Sequence, residues 1–107
     1  MSDTLKLIQD QVRAHSVRIS EHGRDELVAD SIRLRDVLDG VNEARVVEDY
    51  PTYIKGPSVL CLQHDGTGRP IHVLWGIAAQ NRRIATLITA YRPDHERWTD
   101  GFLKRKR

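Results

Sequence analysis

The spacing of apolar residues changes its period near Glu43, and this change restricts the fold more than any other feature of the chain. Before that point, apolar side chains recur every three or four residues, as they do along one face of a helix. After it, short β-branched runs are separated by turns rich in glycine, proline and aspartate. Helices followed by sequential strands predict an α+β fold in which the helices cover one face of an antiparallel sheet.

Three helices are predicted in the first half of the chain, over about residues 4–15, 21–29 and 32–40. In the second helix, Leu27 and Val28 are the expected buried contacts. Asp30 and Ser31 are the expected cap of the third helix, because short polar side chains accept hydrogen bonds from free N–H groups of a first turn. Residues 17–19 form a brief extended segment between the first two helices.

Four strands are predicted in the second half, over about residues 45–50, 58–64, 70–79 and 83–91. Pro51 ends the first strand because proline has no N–H to donate to a ladder. The glycine-rich turn of residues 65–68 joins the middle strands into a hairpin. Trp98 and Phe102 are expected to dock a short C-terminal segment, whereas the basic tail of residues 104–107 is expected to be frayed. We interpret residues 1–107 as a single domain.

Charge is distributed unevenly along the chain. Residues 1–50 carry 7 Lys and Arg against 11 Asp and Glu, whereas residues 51–107 carry 10 against 4. The positive second half predicts a surface for an anionic partner such as RNA, although a solvated tail that aids solubility explains the same charges. No apolar run is long enough to cross a bilayer, and the first residues do not resemble a signal peptide. A cytoplasmic location is therefore expected.

Two groups of polar residues are candidates for chemistry. His22 and Glu26 lie four residues apart, so that on a helix the carboxylate can orient the imidazole for acid/base work, and Arg24 on the same turn can bind phosphate. His72 lies on a predicted strand and is expected to be half-buried, on the face opposite its apolar neighbours. Each group also has a structural explanation, as solvated neighbours on a helix or as a hydrogen-bonded histidine in the sheet.

Three further residues lie at predicted strand ends. Arg69 and Arg92 can bracket a phosphodiester, although exposed arginines at turns are common. Tyr91 can stack on a base or support a leaving group, although packing on the sheet edge explains it equally well. No cofactor is implied by any of these residues.

A metal site is disfavoured. The nearest set of ligands is Cys61, His64 and His72. Cys61 is the only cysteine, so it cannot form a cysteine cluster or a disulfide within the chain. Cys61 and His64 are three residues apart on a strand, and their side chains therefore point to opposite faces.

An ordered series of short motifs resembles a bacterial family, number forty-two fifty-eight among the domains of unknown function. The motifs are residues 19–24 (ISEHGR), 46–51 (VVEDYP), 56–58 (GPS), 68–73 (GRPIHV) and 88–94 (ITAYRPD). The resemblance covers about residues 17–98. That family is distantly similar to toxins of the RelE and BrnT type and to other small, barnase-like ribonucleases, which place helices before an antiparallel sheet and cut RNA without a metal.

The resemblance implies a ribonuclease of a toxin–antitoxin pair. His22, His72 and Tyr91 would then be the catalytic candidates, and Arg24, Arg69 and Arg92 would bind the phosphate. An enzyme requires both histidines and an arginine to face one cleft. The alternative is a non-catalytic binding or regulatory module on the same scaffold. The first helix lies outside the matched motifs and can pack on the sheet or on a second copy of the chain in a homodimer.

Overall fold

A computed structural model of the protein describes residues 2–106. Within them, three α-helices and a short 3-10 helix accompany five strands. In chain order these are α1 (Asp3–Arg13), β1 (Val17–Ile19), α2 (Glu21–Ala29), α3 (Leu34–Gly40), the 3-10 helix (Val41–Glu43), β2 (Arg45–Tyr50), β3 (Ser58–His64), β4 (Pro70–Ala78) and β5 (Asn81–Tyr91). The predicted mixture of helices and a sheet is confirmed. None of the helices in residues 2–106 has the length and apolar character that a membrane crossing requires.

The sheet has five strands, and the prediction of four was wrong. Its order is β1-β5-β4-β3-β2, with antiparallel pairing from β5 to β2. The additional strand is the extended segment before α2, which pairs in parallel with β5 so that Val17 lies opposite Ala85 and Ile19 opposite Leu87. A three-residue strand whose partner lies far along the chain has no local turn or hairpin signal, and the pairing was missed for that reason.

The helices pack on one face of the sheet, which we call the helix face, and the core lies between the two layers. Its fully buried members come from both layers: Ile8, Val37, Val41, Val59, Cys61, Ile71, Val73, Trp75, Ile77 and Leu87. Alternate residues of each strand point to the other side of the sheet, which we call the open face. His72 and Leu74 of β4 lie on this open face.

A buried polar link joins the third helix to the sheet. The side-chain N–H of Gln63 donates to the carbonyl of Val37 at 2.8 Å, and its oxygen accepts from the indole N–H of Trp75 at 2.9 Å. All three residues are almost completely excluded from solvent. The amide side chain therefore satisfies both partners in a position where neither can reach water.

Two expectations for the helical half were wrong. Val28 is 77% exposed, because α2 packs its Gly23 and Leu27 side on the sheet. The third helix begins at Leu34 and not directly after Ser31, whose φ of 54° is left-handed and incompatible with a cap. The aspartate next to it serves elsewhere: the Asp30 carboxylate accepts from the backbone N–H of Arg92 at 2.8 Å.

Residues 93–106, which we call the C-terminal segment, fold back over part of the open face. Trp98 is 4% exposed, which agrees with its predicted docking. The segment closes on itself, since Lys106 donates its N–H to the carbonyl of Arg97 and Thr99 donates to Lys104. The prediction of a frayed basic tail was therefore wrong for residues 104–106, and position 107 lies outside the described residues.

Candidate functional site

His72 is a completely buried histidine on the open face, directly opposite Tyr91 of β5. Its Nε2 lies 2.8 Å from the carbonyl oxygen of Phe102, and its Nδ1 lies 3.1 Å from the hydroxyl of Tyr91. Because a carbonyl oxygen only accepts, Nε2 carries the proton. In the neutral ring Nδ1 is then an acceptor, and the hydroxyl of Tyr91 donates to it.

The protonation of this pair follows from its surroundings. Burial lowers the pKa of His72, against the opposing effect of its hydrogen bond to Phe102. Burial also raises the pKa of Tyr91. Trp98 packs edge-on against the imidazole, with ring centres 4.4 Å apart. At neutral pH the site therefore contains a neutral imidazole that accepts a hydrogen bond from a protonated phenol.

A surface cleft of about 410 Å³ lies next to this pair. We call it the arginine cleft, because three arginines and one aspartate lie in its lining. The lining residues are Tyr91, Arg92, Asp94, Arg97, Trp98 and Arg105. Guanidinium groups bind phosphate through paired, charge-assisted hydrogen bonds. The composition of the lining is therefore suited to an anion, and Tyr91 connects it to the buried His72.

Arg105 is held in the cleft by an ion pair and an aromatic ring. Its Nε and Nη2 lie 2.8 and 3.0 Å from the two carboxylate oxygens of Glu48. Its guanidinium carbon lies 4.8 Å from the centre of the Trp98 ring, within cation–π distance. The hydrogen bond from Arg105 lowers the pKa of Glu48, which also accepts from the hydroxyl of Tyr50 at 2.6 Å. Arg105 is thus oriented, although its side chain stays 62% exposed.

Arg92 is the most enclosed cation of the cleft. Its Nη2 lies 2.9 Å from the carboxylate of Asp65 and 3.3 Å from the carbonyl of Ser31. Its Nη1 is buried and has no hydrogen-bond partner among the described residues. Buried N–H groups without a partner are rare in folded proteins. One side of this guanidinium is therefore committed to the fold, and the other retains unused donors.

Asp65 organises the turn between β3 and β4. Its Oδ1 accepts from the N–H and hydroxyl of Thr67 and from the backbone N–H of Arg69, while Oδ2 binds Arg92. Burial opposes ionisation of this carboxyl, but these hydrogen bonds hold its pKa well below the usual range. The turn thereby ties the end of β5 to the hairpin.

Of the six residues predicted for the site, the structure brings His72, Tyr91 and Arg92 together. His22 and Arg24 are exposed in the first turn of α2, and neither lines the arginine cleft. The predicted pairing of His22 with Glu26 is not formed as a hydrogen bond or ion pair in the described part of the chain. Arg69 is also exposed and contributes its backbone, rather than its side chain, to Asp65.

The sequence interpretation missed four residues around the cleft: Glu48, Arg97, Trp98 as a cover for His72, and Arg105. Arg97 and Arg105 resembled ordinary surface charges because they lie in a charged segment without strand or helix periodicity. The single useful signal was the pair of aromatic residues predicted to dock that segment.

The three residues considered as metal ligands point to different places. Cys61 lies in the core on the helix face, where burial raises the pKa of its thiol to about 12. His64 is exposed at the end of β3, and His72 lies on the open face. Within residues 2–106, no group of three or more His, Cys, Asp or Glu is arranged to hold a metal ion.

Comparison with known proteins identifies one family. Residues 19–92, more than half of the chain, match the model described as "Domain of unknown function (DUF4258)". No curated protein and no solved structure matches the chain. The matched region contains α2, α3, the strands β2 to β5 and the His72–Tyr91 pair, but only the last residue of β1, whereas Arg97, Trp98 and Arg105 follow it.

Proposed function

Because the chain belongs to the DUF4258 family, whose description assigns no activity, we propose its function from the site itself: binding and metal-independent cleavage of RNA at the arginine cleft. One observation carries the proposal. Tyr91 donates a hydrogen bond to the neutral, buried His72 and also lines a cleft with three arginines. This arrangement combines a base with cations, which are the two elements that cleavage of a phosphodiester requires.

The arginines supply the phosphate site. Arg97 forms no ion pair in residues 2–106, and Arg92 retains an unpaired buried Nη1. A phosphate in the cleft accepts charge-assisted hydrogen bonds from the exposed guanidinium of Arg97, and Arg92, whose side chain is 20% exposed, adds positive charge beside it. Arg105 is held by Glu48 and adds positive potential at the edge of the cleft.

The proposed reaction uses the ribose 2′-hydroxyl as nucleophile. Its proton passes to the oxygen of Tyr91 while the phenolic proton of Tyr91 passes to Nδ1 of His72, which becomes an imidazolium. A bond forms between the 2′-oxygen and phosphorus, and the bond from phosphorus to the 5′-oxygen breaks. The leaving 5′-oxygen takes a proton from water, and the imidazolium later returns its proton to solvent through Tyr91. The products are a 2′,3′-cyclic phosphate and a 5′-hydroxyl.

This activity is the one that the resemblance to RelE and BrnT type toxins implies, and the proposal includes its consequences. The substrate is cytoplasmic RNA, and an antitoxin protein neutralises the enzyme by covering the arginine cleft. His22, Arg24 and Arg69 have no part in the proposed site, in contrast to the sequence prediction.

A second candidate function is a non-catalytic RNA-binding module. It is favoured by the closure of His72 under Trp98 and by the pairing of Arg92 and Arg105 with carboxylates. In that case the His72–Tyr91 pair only joins two strands, and the arginines bind the RNA backbone without cleavage.

Cleavage of an end-labelled RNA pool in excess chelator separates the two functions. We expect wild-type protein to produce cyclic-phosphate ends, and Tyr91→Phe to reduce the rate by about 10²- to 10⁴-fold, the usual contribution of a general base. Arg97→Gln is expected to weaken substrate binding. Arg24→Gln is the matched control, since it removes an exposed arginine outside the cleft, and it should cleave as wild type does. Binding without cleavage by the wild type supports the binding module, and equal activity in all variants refutes the proposed site.

A further inference from the structure

A second depression occupies the other end of the open face. It is a groove of about 640 Å³ between the end of β4, the start of β3 and the loop before β3. Its lining is mainly apolar and aromatic and includes Tyr50, Tyr53, Lys55, Leu74, Thr86 and Ile88. A cavity of this size accommodates a small organic ligand. We call it the aromatic groove.

A glycine keeps the floor of this groove open. Gly76 lies on β4 between Ser58 and Thr86 of the flanking strands. A Cβ atom built on Gly76 lies 2.7 Å from Cδ1 of Ile88, closer than two carbons can approach. Any larger side chain therefore displaces Ile88 or fills the space. Ser58 and Thr86 also line the groove, and the hydroxyl of Ser58, which donates to the carbonyl of Gly56 at 3.3 Å, can still accept a hydrogen bond.

The charge of the groove favours an anionic occupant. Its lining contains one cation, Lys55, and no carboxylate. Arg18 of β1 pairs in register with Thr86, so both side chains project from the open face, and Arg18 is exposed. Tyr53 is 53% exposed at the groove, a large aromatic surface left in contact with water. Cations that flank an exposed aromatic ring are the combination that binds single-stranded nucleic acid.

The groove and the arginine cleft share the open face and are linked through side chains. Tyr50 lines the groove and donates its hydroxyl to Glu48, which binds Arg105 of the cleft. On β4, Leu74 of the groove is two residues from His72, a separation of about 7 Å along a strand. His72 is buried beneath Trp98 and reaches the cleft through Tyr91, so the two sites are farther apart than this, but they share one face of the sheet and one RNA segment can extend over both.

We propose that the aromatic groove binds a nucleobase of single-stranded RNA, next to the phosphate held in the arginine cleft. The base stacks on Tyr53, its edge reaches the hydroxyls of Ser58 and Thr86, and its phosphate faces Lys55 and Arg18. This inference rests on the proposed function, because it takes RNA as the ligand, but it does not require cleavage.

The test measures binding of a fluorescein-labelled, mixed-sequence RNA tetranucleotide by anisotropy. Tyr53→Ala is expected to weaken binding by about 5- to 150-fold, the equivalent of one lost base stack. Tyr53→Phe is the matched control, since it keeps the ring, and should bind within about 2-fold of wild type. Gly76→Leu, which fills the groove, should weaken binding in the same way if the variant remains folded by circular dichroism.

The outcomes separate this inference from the ribonuclease proposal. Weaker binding by Tyr53→Ala supports the groove even if the wild-type protein does not cleave RNA. Unchanged binding by Tyr53→Ala overturns the groove even if the wild type cleaves. Failure of the wild-type protein to bind the tetranucleotide at all overturns both.

Discussion

Replacing Tyr91 with phenylalanine tests the reasoning about the site most directly. The change removes one oxygen and keeps the aromatic ring, whose centre lies 5.2 Å from that of His72. It leaves Nδ1 of a completely buried imidazole without its donor. An unsatisfied buried acceptor costs about 1–3 kcal/mol, so we expect the free energy of unfolding to fall by that amount. For a chain of this length the melting temperature then falls by at least about 4 °C.

Urea unfolding gives the stability change, and ¹⁵N NMR of the His72 ring gives its cause. In the wild type we expect the shifts of a neutral ring that is protonated at Nε2. Tyr53→Phe is the control for loss of a hydroxyl, because Tyr53 is 53% exposed and its hydroxyl has no hydrogen-bond partner in the described residues. A surface change of this kind should alter stability by less than about 0.5 kcal/mol.

Two results would refute parts of this argument. If Nδ1 carries the proton, the assigned direction of the hydrogen bond is wrong. If Tyr91→Phe is as stable as the wild type, the hydrogen bond contributes nothing to the stability of the fold. If the variant is destabilised but cleaves RNA at the wild-type rate, Tyr91 is a structural partner of His72 and the proposed proton relay is excluded.

Three further predictions follow from the same contacts. Gln63→Leu removes the hydrogen-bond partner of both the Trp75 indole and the Val37 carbonyl. The free energy of unfolding, measured in urea, should fall by about 2–4 kcal/mol. A change below about 1 kcal/mol would show that other groups can replace the amide. The pKa of His72 is lowered in the folded state, so below about pH 6.5 the unfolded chain binds a proton that the folded chain does not. The free energy of unfolding should therefore rise with pH up to about 6.5, by at most about 1.4 kcal/mol per pH unit. A His72→Gln variant that melts cooperatively should lose this contribution, and an unchanged pH profile would contradict the assignment. Glu48→Gln should lower the free energy of unfolding by only about 0.5–1 kcal/mol, because Arg105 is well exposed. The same change should strengthen RNA binding, because it frees the guanidinium of Arg105. Weaker RNA binding at constant salt would count against the anion site.

The local pattern of the sequence determined most of the individual elements. The bounds of α2, β2 and β3 agree with the predicted ranges because each carries its own periodicity and is closed by a local signal, such as Pro51 after β2. The hairpin at residues 65–68 is equally local, since its turn chemistry lies within four residues. Val28 shows the limit of this approach: an apolar residue at the end of a helical pattern can still face solvent.

The arrangement of the site depended on contacts between distant residues. The pairing of β1 with β5 and the position of His72 opposite Tyr91 follow from strand register, which is set by packing of the whole sheet. The arginine cleft forms only when the C-terminal segment folds over the open face and brings Arg97 and Arg105 beside Tyr91. His22 and Arg24 were chosen because they are neighbours along a helix, but residues that share a site need to be neighbours in space. The sequence by itself determined which residues can titrate or carry charge, and the tertiary structure decided which of them meet, because burial and register are properties of the assembled sheet.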